Sequence, residues 1–189
     1  MKIQGWLTKA EGEWLRRRAK ECTGPILEIG SYKGLSTSYL ANGSLEGHGV
    51  QVYAVDHFTD LSDKAYDVFM RNMKQLDLLK CIMVMRMPSK EARAMWDMDV
   101  KLNFLFIVGD HTYKGCKNDW DIWTPLVKEG GIIALHDAQG STNQREEFIK
   151  HDARPFPGVA RVADEHIKNK ADEWGMVDRI CWVRKQGGV

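Results

Sequence analysis

Glycines and carboxylates in the first third of the chain have the spacing of a nucleoside-binding half-site. An apolar run that contains Glu28 leads into a turn with Gly30 and Gly34, and a second apolar run ends at Asp56. Glycines in such a turn let the backbone approach a ligand. A carboxylate at the end of the next strand accepts hydrogen bonds from ribose hydroxyls. The pattern predicts that the chain binds a cofactor containing a nucleoside.

The spacing of the two glycines argues against a dinucleotide. A pyrophosphate site needs the pattern G-x-G-x-x-G, whereas three residues separate Gly30 from Gly34 here. The carboxylate of Glu28 beside the turn favours a ligand that carries positive charge. S-adenosylmethionine (SAM) has an adenosine, a sulfonium and an ammonium group but no phosphate, so it fits this pattern.

A second group of polar residues follows later apolar runs. Asp110 and His111 follow one such run, and His136 and Asp137 follow the next. Histidine takes up a proton near neutral pH, and a neighbouring carboxylate can orient its ring. These four residues are therefore candidates for general acid–base chemistry.

The elements that must position these residues alternate along the chain. Strands are predicted at 26–30, 51–56, 81–86, 103–108, 131–136, 174–177 and 180–184. Helices are predicted from the Thr8–Glu11 capping box to about Lys20 and at 35–42, 62–77, 89–97, 114–128, 142–151 and 158–168. Apolar runs without period-two alternation are typical of parallel strands covered on both faces. Repeated strand–helix units predict a doubly wound α/β fold with its ligand at the carboxyl ends of the strands.

Four segments resemble a known family. They read ILEIGSYKGLSTSYLA (26–41), VYAVDHF (52–58), FLFIVGDHTYKGCKNDWDIWTPLVKEGGIIALHDA (104–138) and PGVARVADE (157–165). On these segments the chain resembles the class I SAM-dependent methyltransferases. The resemblance is to the methyltransferase-24 type, which is related to sugar and macrolide O-methyltransferases. It implies a Rossmann-like, mostly parallel seven-stranded sheet with an antiparallel last strand and helices on both faces.

The resemblance also implies roles for individual residues. The SAM-binding residues that it implies are Glu28, Gly30, Ser31, Tyr32, Gly34, Asp56, His57, Met87, Ser89, Asp110 and His111. In this arrangement Glu28 and Gly30 lie beside the methionine portion, and Asp56 binds the ribose hydroxyls. Met87 and Ser89 border the adenine. The predicted catalytic residues, facing the methyl group and the acceptor, are His111, Asp110 and His136.

The metal motif of related enzymes is incomplete in this chain. Related metal-dependent O-methyltransferases use an Asp after the fourth strand and two adjacent acidic or amide residues after the fifth, and the matching positions here are Val108, His136 and Asp137. Valine cannot bind a metal, and Mg²⁺ prefers oxygen ligands. Two alternatives remain. Either Asp110, His136 and Asp137 hold a divalent metal in a shifted geometry, or no metal is used and His111 or His136 is the general base. We favour the second.

The charge balance and the cysteine content argue against several classes of binding partner. The 189 residues carry 27 basic and 26 acidic side chains, so electrostatics do not favour nucleic acid or an anionic membrane surface. The four cysteines are far apart and predict neither a zinc site nor disulfides. The first residues lack the apolar core typical of a signal peptide, and no apolar run is long enough to predict a membrane span. We expect one cytoplasmic methyltransferase domain over 1–189, and the resemblance allows a homodimer.

These patterns support one main hypothesis and two alternatives. The main hypothesis is SAM-dependent O-methylation of a small-molecule hydroxyl, on a sugar or a secondary metabolite, with a His/Asp general base. Residues 1–24, 57–66 and 138–158 would form the acceptor side. The first alternative is a catalytically degenerate SAM-binding protein with a regulatory or structural role, which Val108 motivates. The second is a nicotinamide-dependent oxidoreductase, against which the absence of G-x-G-x-x-G counts.

Overall fold

One mixed sheet forms the centre of the molecule. The computed structural model describes residues 3–59, 64–139, 156–168 and 170–187. Its strands are β1 (Ile26–Ile29), β2 (Val52–Val55), β3 (Ile82–Met85), β4 (Leu102–Ile107), β5 (Val127–Leu135), β6 (Trp174–Val177) and β7 (Ile180–Arg184). Their order across the sheet is β3-β2-β1-β4-β5-β7-β6. β1 to β5 are parallel, and β7 lies antiparallel between β5 and β6. The predicted fold class is confirmed.

Helices cover both faces of this sheet. They are α1 (Lys9–Lys20), α2 (Leu35–Glu46), α3 (Ala65–Gln75), α4 (Ser89–Ala94), α5 (Tyr113–Trp123) and α6 (Pro157–Ala163). One apolar core joins α1, α2 and α3 to one face, with Leu15, Leu40 and Phe69 fully buried. A second core joins α4, α5 and α6 to the other face around the buried ring of Trp123. Burial on both faces explains why the strands lack alternation in sequence. In the described part of the chain, no helix is long and apolar enough to cross a membrane.

Several predicted element ends differ from the structure. The predicted helix over 114–128 is too long, because α5 ends at Trp123 and a 3₁₀ turn with Pro125 leads into β5 at Val127. Proline lacks the backbone donor that a continuing helix needs. Conversely, α2 runs four residues beyond the predicted end, to Glu46. The predicted helix over 142–151 lies outside the described residues.

The predicted capping box at the start of α1 is present. The Thr8 hydroxyl accepts a hydrogen bond from the Glu11 backbone at 3.1 Å, and the Glu11 carboxylate accepts one from the Thr8 backbone at 2.7 Å. Glu11 is nevertheless completely buried, which is unusual for a charged residue in the first turn of a helix. The cap therefore brings a carboxylate into the interior of the molecule.

α1 and α2 approach each other closely because a glycine lies at their contact. A Cβ atom added at Gly43 would lie 2.1 Å from the backbone oxygen of Arg16 and 2.9 Å from Cβ of Ala19. A backbone oxygen cannot move aside without shifting the whole helix. The distance between the two helices therefore depends on a residue without a side chain.

We predict that Gly43→Ala destabilises the protein. Alanine gains about 1 kcal/mol in helix propensity, but overpacking against a backbone atom costs about 3 kcal/mol, so the free energy of unfolding should fall by about 2 kcal/mol. Urea unfolding measures this change. The control is Asn42→Ala, at an exposed position of the same helix, which should leave the free energy of unfolding unchanged or slightly higher. Equal stabilities of wild type and Gly43→Ala would contradict the packing argument.

Candidate active site

A large cavity opens at the carboxyl ends of the parallel strands. Its volume is about 1040 Å³. It is lined by the N-terminal segment, the β1–α2 turn, the residues that follow β2, β3, β4 and β5, and Arg179 between β6 and β7. Pockets that bind one drug-sized ligand have volumes of about 300–1000 Å³, so this cavity lies at the upper end of that range.

The β1–α2 turn forms one wall of the cavity and packs closely on the end of β4. Gly30 and Gly34 have φ angles of 91° and 88°, in the left-handed region that glycine adopts without strain. A Cβ atom at Gly30 would lie 2.6 Å from the backbone nitrogen of Gly109. The glycine at position 30 is therefore needed both for its backbone conformation and for the close approach of the two strand ends.

Asp56 holds this turn in place. Its Oδ2 accepts hydrogen bonds from the backbone nitrogens of Ser31 at 2.9 Å and Tyr32 at 2.7 Å. Its Oδ1 accepts one from Phe58 at 2.6 Å. A carboxylate has about four lone-pair sites, so one remains for a ligand hydroxyl. The carboxylate expected to bind a ribose thus also organises the backbone around it.

Glu28 lies behind the turn and does not line the cavity. Its Oε2 accepts hydrogen bonds from the hydroxyls of Ser31 at 2.8 Å and Thr37. Its Oε1 is buried without a hydrogen-bond partner among the described residues. Burial raises the pKa of Glu28 to about 7. The geometry favours a supporting role for Glu28, and its contact with a methionine group stays a prediction.

The residues predicted to border the adenine lie after β2 and β3. His57 lines the cavity, and its Nδ1 lies 2.7 Å from the Thr59 hydroxyl. Met87 and Ser89 also line it. The Ser89 hydroxyl is already engaged, because it donates to Asp119 at 2.6 Å and accepts from the indole nitrogen of Trp123 at 2.8 Å.

Asp119 is a cavity residue that sequence reasoning missed. It comes from α5 and is 5% exposed, and burial raises the pKa of its carboxyl to about 6. In sequence it is one of two acidic residues in an amphipathic helix, the other being Asp121. Only the fold shows that its face of the helix turns toward the cavity.

A histidine–carboxylate pair lies at the other side of the cavity. His111 Nε2 is 3.0 Å from Oδ2 of Asp137, and the His111 ring stacks on Phe156 with 4.1 Å between centroids. Burial alone would raise the pKa of Asp137. However, the hydrogen bond from His111 and the neighbouring charges of His136 and Arg179 hold that pKa well below its usual value. Asp137 is therefore an ionised carboxylate that can orient the His111 ring.

His136 belongs to a buried network behind this pair. Its Nε2 lies 3.4 Å from the Glu11 carboxylate, and its Nδ1 lies 3.1 Å from Asp137 without the alignment of a hydrogen bond. Burial alone would lower the pKa of His136, but the two carboxylates raise it overall. Arg179 completes the network by donating to Asp137 at 3.0 Å and to Glu11 at 3.4 Å.

These residues do not fit a magnesium ion. Val108 offers no ligand, and the Asp137 oxygens are engaged by His111 and Arg179. Asp110, proposed for the shifted geometry, accepts a hydrogen bond from the Thr112 backbone at 2.8 Å. Within residues 3–59, 64–139, 156–168 and 170–187, no group of three or more His, Cys, Asp or Glu side chains has a metal-binding arrangement.

The N-terminal segment covers part of the cavity. Gln4 to Leu7 line it, and the Trp6 ring lies 5.1 Å from the Tyr32 ring, tilted by 32°. Trp6 is 57% exposed, so an aromatic face is open to a second ligand. Trp6 was not among the predicted site residues, although residues 1–24 were expected on the acceptor side. Most of the predicted loop over 138–158 lies outside the described residues.

Comparison with known proteins identifies the family. The Methyltransf_24 family, described as a methyltransferase domain, matches residues 27–138, which is more than half of the chain. The chain belongs to this family of class I SAM-dependent methyltransferases. The match spans the β1–α2 turn, Asp56, Asp110 and the end of β5.

Solved structures with the same fold have low sequence identity to this methyltransferase. Cofactor-bound Rv0187 from MTB has a TM-score of 0.71 at 16% identity, covering 96% of this chain and 82% of that one. The O-methyltransferase from Bacillus cereus in complex with SAH has a TM-score of 0.66 at 18% identity, covering 95% and 82%. TomG from Streptomyces achromogenes, an O-methyltransferase of tomaymycin synthesis in complex with SAM, has a TM-score of 0.67 at 12% identity, covering 96% and 82%. These similarities show the fold.

The structure brings most of the predicted site residues of the methyltransferase around one cavity. Those that line it are Gly30, Ser31, Tyr32, Asp56, His57, Met87, Ser89, Asp110, His111, His136 and Asp137. Glu28 and Gly34 do not line it, because one lies beneath the turn and the other begins α2. Glu11, Asp119 and Arg179 were missed as site residues. The capping box identified Glu11 only as part of a helix cap, and no motif distinguishes Asp119 or Arg179 from ordinary surface charges in the sequence.

We predict a pH-dependent effect of Glu28→Gln on stability. The pKa of Glu28 rises from 4.5 to about 7 on folding. The folded state therefore holds this proton more tightly, and the free energy of unfolding falls as pH rises through that window. Glutamine has no proton to lose. From pH 4.5 to 7 the variant should gain about 2–3 kcal/mol relative to wild type.

Urea unfolding at several pH values between 4 and 8 measures this difference. Glu91→Gln, at an exposed position on α4, is the matched control and should follow the wild-type profile. A Glu28→Gln profile parallel to that of wild type would mean that Glu28 is not protonated on folding.

Proposed function

We propose that this methyltransferase transfers the methyl group of SAM to the hydroxyl oxygen of a small molecule, with His111 as general base. One observation carries the proposal: a single cavity has the Asp56-bound turn on one side and the His111–Asp137 pair on the other. Such an arrangement suits a nucleoside cofactor and an acceptor bound side by side.

SAM would extend from the β2 end toward the β4 end of the cavity. The remaining lone pair of Asp56 suits one ribose hydroxyl, and His57 and Met87 border the space for the adenine. The methionine portion would follow the backbone of Gly30 and Ser31. This orientation directs the methyl group toward Asp110 and His111.

His111 has the geometry of a base with a fixed tautomer. When its Nε2–H donates to the ionised Asp137, the lone pair is on Nδ1 and can accept the proton of a hydroxyl. His136, the other predicted catalytic histidine, is 3% exposed, and its raised pKa favours the imidazolium, which has no lone pair to offer. We therefore assign His136 to the buried network.

The transfer is an in-line displacement. A lone pair of the acceptor oxygen forms a bond to the methyl carbon as the carbon–sulfur bond breaks. The electron pair of the broken carbon–sulfur bond stays on sulfur, which becomes a neutral thioether in S-adenosylhomocysteine (SAH). The acceptor proton passes to His111. Because the sulfonium is already activated, alignment of the two ligands is the main contribution of the protein.

The acceptor is a hydroxylated ring compound in this proposal, either a sugar or a secondary metabolite. Trp6 and Tyr32 offer a partly exposed aromatic surface at the cavity, on which such a ring can pack. A degenerate SAM-binding protein is the second candidate, because Val108 replaces the first acidic residue of the family metal motif. Methyl transfer to an acceptor distinguishes the two.

We expect Asp56→Ala to weaken SAH binding by about 10–100-fold, because it removes charged hydrogen bonds to the ligand and to the turn, together about 1.5–3 kcal/mol. Calorimetric titration with SAH measures the change. Asp99→Ala, at an exposed acidic residue before β4, should bind SAH as wild type does. Failure of the wild type to bind SAH would refute the proposed function, whereas equal binding by Asp56→Ala would refute only the role of Asp56.

We expect His111→Asn to reduce kcat by about 10²–10⁴-fold, the usual contribution of a positioned base. Its SAH affinity should stay within about threefold of wild type, because asparagine still fills the cavity wall. Transfer of labelled methyl from SAM to a panel of hydroxylated sugars and phenols identifies an acceptor for this assay.

His48→Asn, at an exposed position after α2, is the matched control and should keep the wild-type rate. A His111→Asn variant that turns over at the wild-type rate would exclude His111 as the base. Wild-type SAH binding without transfer to any acceptor of the panel would favour the degenerate alternative.

A further inference from the structure

The guanidinium of Arg179 is a cation that binds Asp137, one of the three positions that match the metal motif of related enzymes. Arg179 lies in the turn between β6 and β7, and its side chain lines the cavity with 19% of its surface exposed. Its Nη1 donates to Asp137 Oδ1 at 3.0 Å and its Nη2 to Glu11 Oε2 at 3.4 Å. Its backbone nitrogen donates to Glu11 Oε1 at 2.8 Å.

Asp137 is the one carboxylate left at the three positions that match the metal motif. Strands β4 and β5 run side by side in register, with Ile107 opposite Leu135, so the residues that follow them are neighbours. The backbone nitrogen of His136 donates to Ile107 at 3.0 Å. Val108 and Asp137 therefore lie close together at the cavity, and Asp137 is paired there with an arginine as well as with His111.

The charges around this space do not leave room for a second cation. Glu11 and Asp137 are the buried carboxylates, and Arg179 and the His136 imidazole both lie against them. A divalent ion bound to Asp137 would lie a few ångströms from the guanidinium, and at that distance the repulsion in a partly buried site amounts to several kcal/mol. Mg²⁺ and the guanidinium therefore exclude each other.

We propose that the Arg179 guanidinium replaces the divalent cation in this chain. It neutralises Asp137 and keeps that carboxylate in position beside His111, so Arg179 is a positioning residue. The ion pair itself does not depend on cofactor binding. The consequence that methyl transfer needs no metal rests on the proposed function.

Competition between Mn²⁺ and Arg179 tests the proposal. Mn²⁺ accepts the same oxygen ligands as Mg²⁺, and electron paramagnetic resonance detects the free ion. The test compares Val108→Asp/Arg179→Met with the matched control Val108→Asp/Arg184→Met, in which a half-buried arginine on β7 that pairs with Glu173 is lost. Both variants carry a second carboxylate, but only the first lacks the guanidinium.

The expected result is Mn²⁺ binding that is at least tenfold tighter in Val108→Asp/Arg179→Met than in the control. Equal binding in the two variants, or no binding in either, would overturn the proposal, because the guanidinium would then not occupy the place of a cation. Wild type should bind no Mn²⁺ at this site, and Mn²⁺ binding that Asp137→Asn abolishes would overturn the proposal as well.

Arg179→Met alone gives a second measurement if the double variants fail to fold. Removing one partner of a buried pair should lower the melting temperature by about 5 °C or more. Millimolar Mn²⁺ should recover part of that loss in Arg179→Met and leave the wild-type melting temperature unchanged, because a ligand of the folded state raises its stability. No recovery would overturn the proposal. SAH titration of the same variants tests the proposed function separately. Variants that bind SAH but fail the Mn²⁺ test would overturn only the role of Arg179.

Discussion

The arrangement of this site depends on the need to pair one buried carboxylate. An ionised side chain removed from water is unstable unless charged partners and hydrogen bonds surround it. Asp137 meets that need with His111, His136 and Arg179, which come from the end of β4, the end of β5 and the β6–β7 turn. Glu11 then connects the same arginine to α1. One ionised group thus joins the N-terminal helix, the central strands and the far edge of the sheet.

A second carboxylate organises the cofactor side in a similar way. Asp56 accepts two backbone hydrogen bonds from the β1–α2 turn, and Gly30 lets that turn lie against the end of β4. The turn is therefore held in shape before any ligand arrives, which reduces the ordering cost of binding. Glu28 supports it from beneath, as a buried carboxyl whose raised pKa lets it keep a proton near neutral pH.

Structural features that depend on local composition could be predicted from the sequence. Apolar runs bounded by glycine and proline located the seven strands, and the polar residues after them located the cavity. Helix ends were less predictable where a single residue such as Pro125 decides them. The Glu11–Arg179 contact could not be predicted, since it joins residues separated by 168 positions and no local pattern sets the register between α1 and the β6–β7 turn. Asp119 was missed because only the packing of α5 against the sheet shows which of its faces lies at the cavity.

Replacement of a metal by an arginine changes what the remaining residues must do. A metal lowers the pKa of a bound hydroxyl, whereas a guanidinium that is already paired with Asp137 does so far less. In the proposed reaction, removal of the acceptor proton then falls to a side chain that can offer a lone pair, which is the role proposed for His111. Pairing with Arg179 also makes Asp137 a weaker base, because the positive charge favours its ionised form. Asp137 can therefore orient the His111 ring without taking its proton. If Arg179 replaces the metal as proposed, its ion pair with Asp137 also helps to set the tautomer of the proposed base.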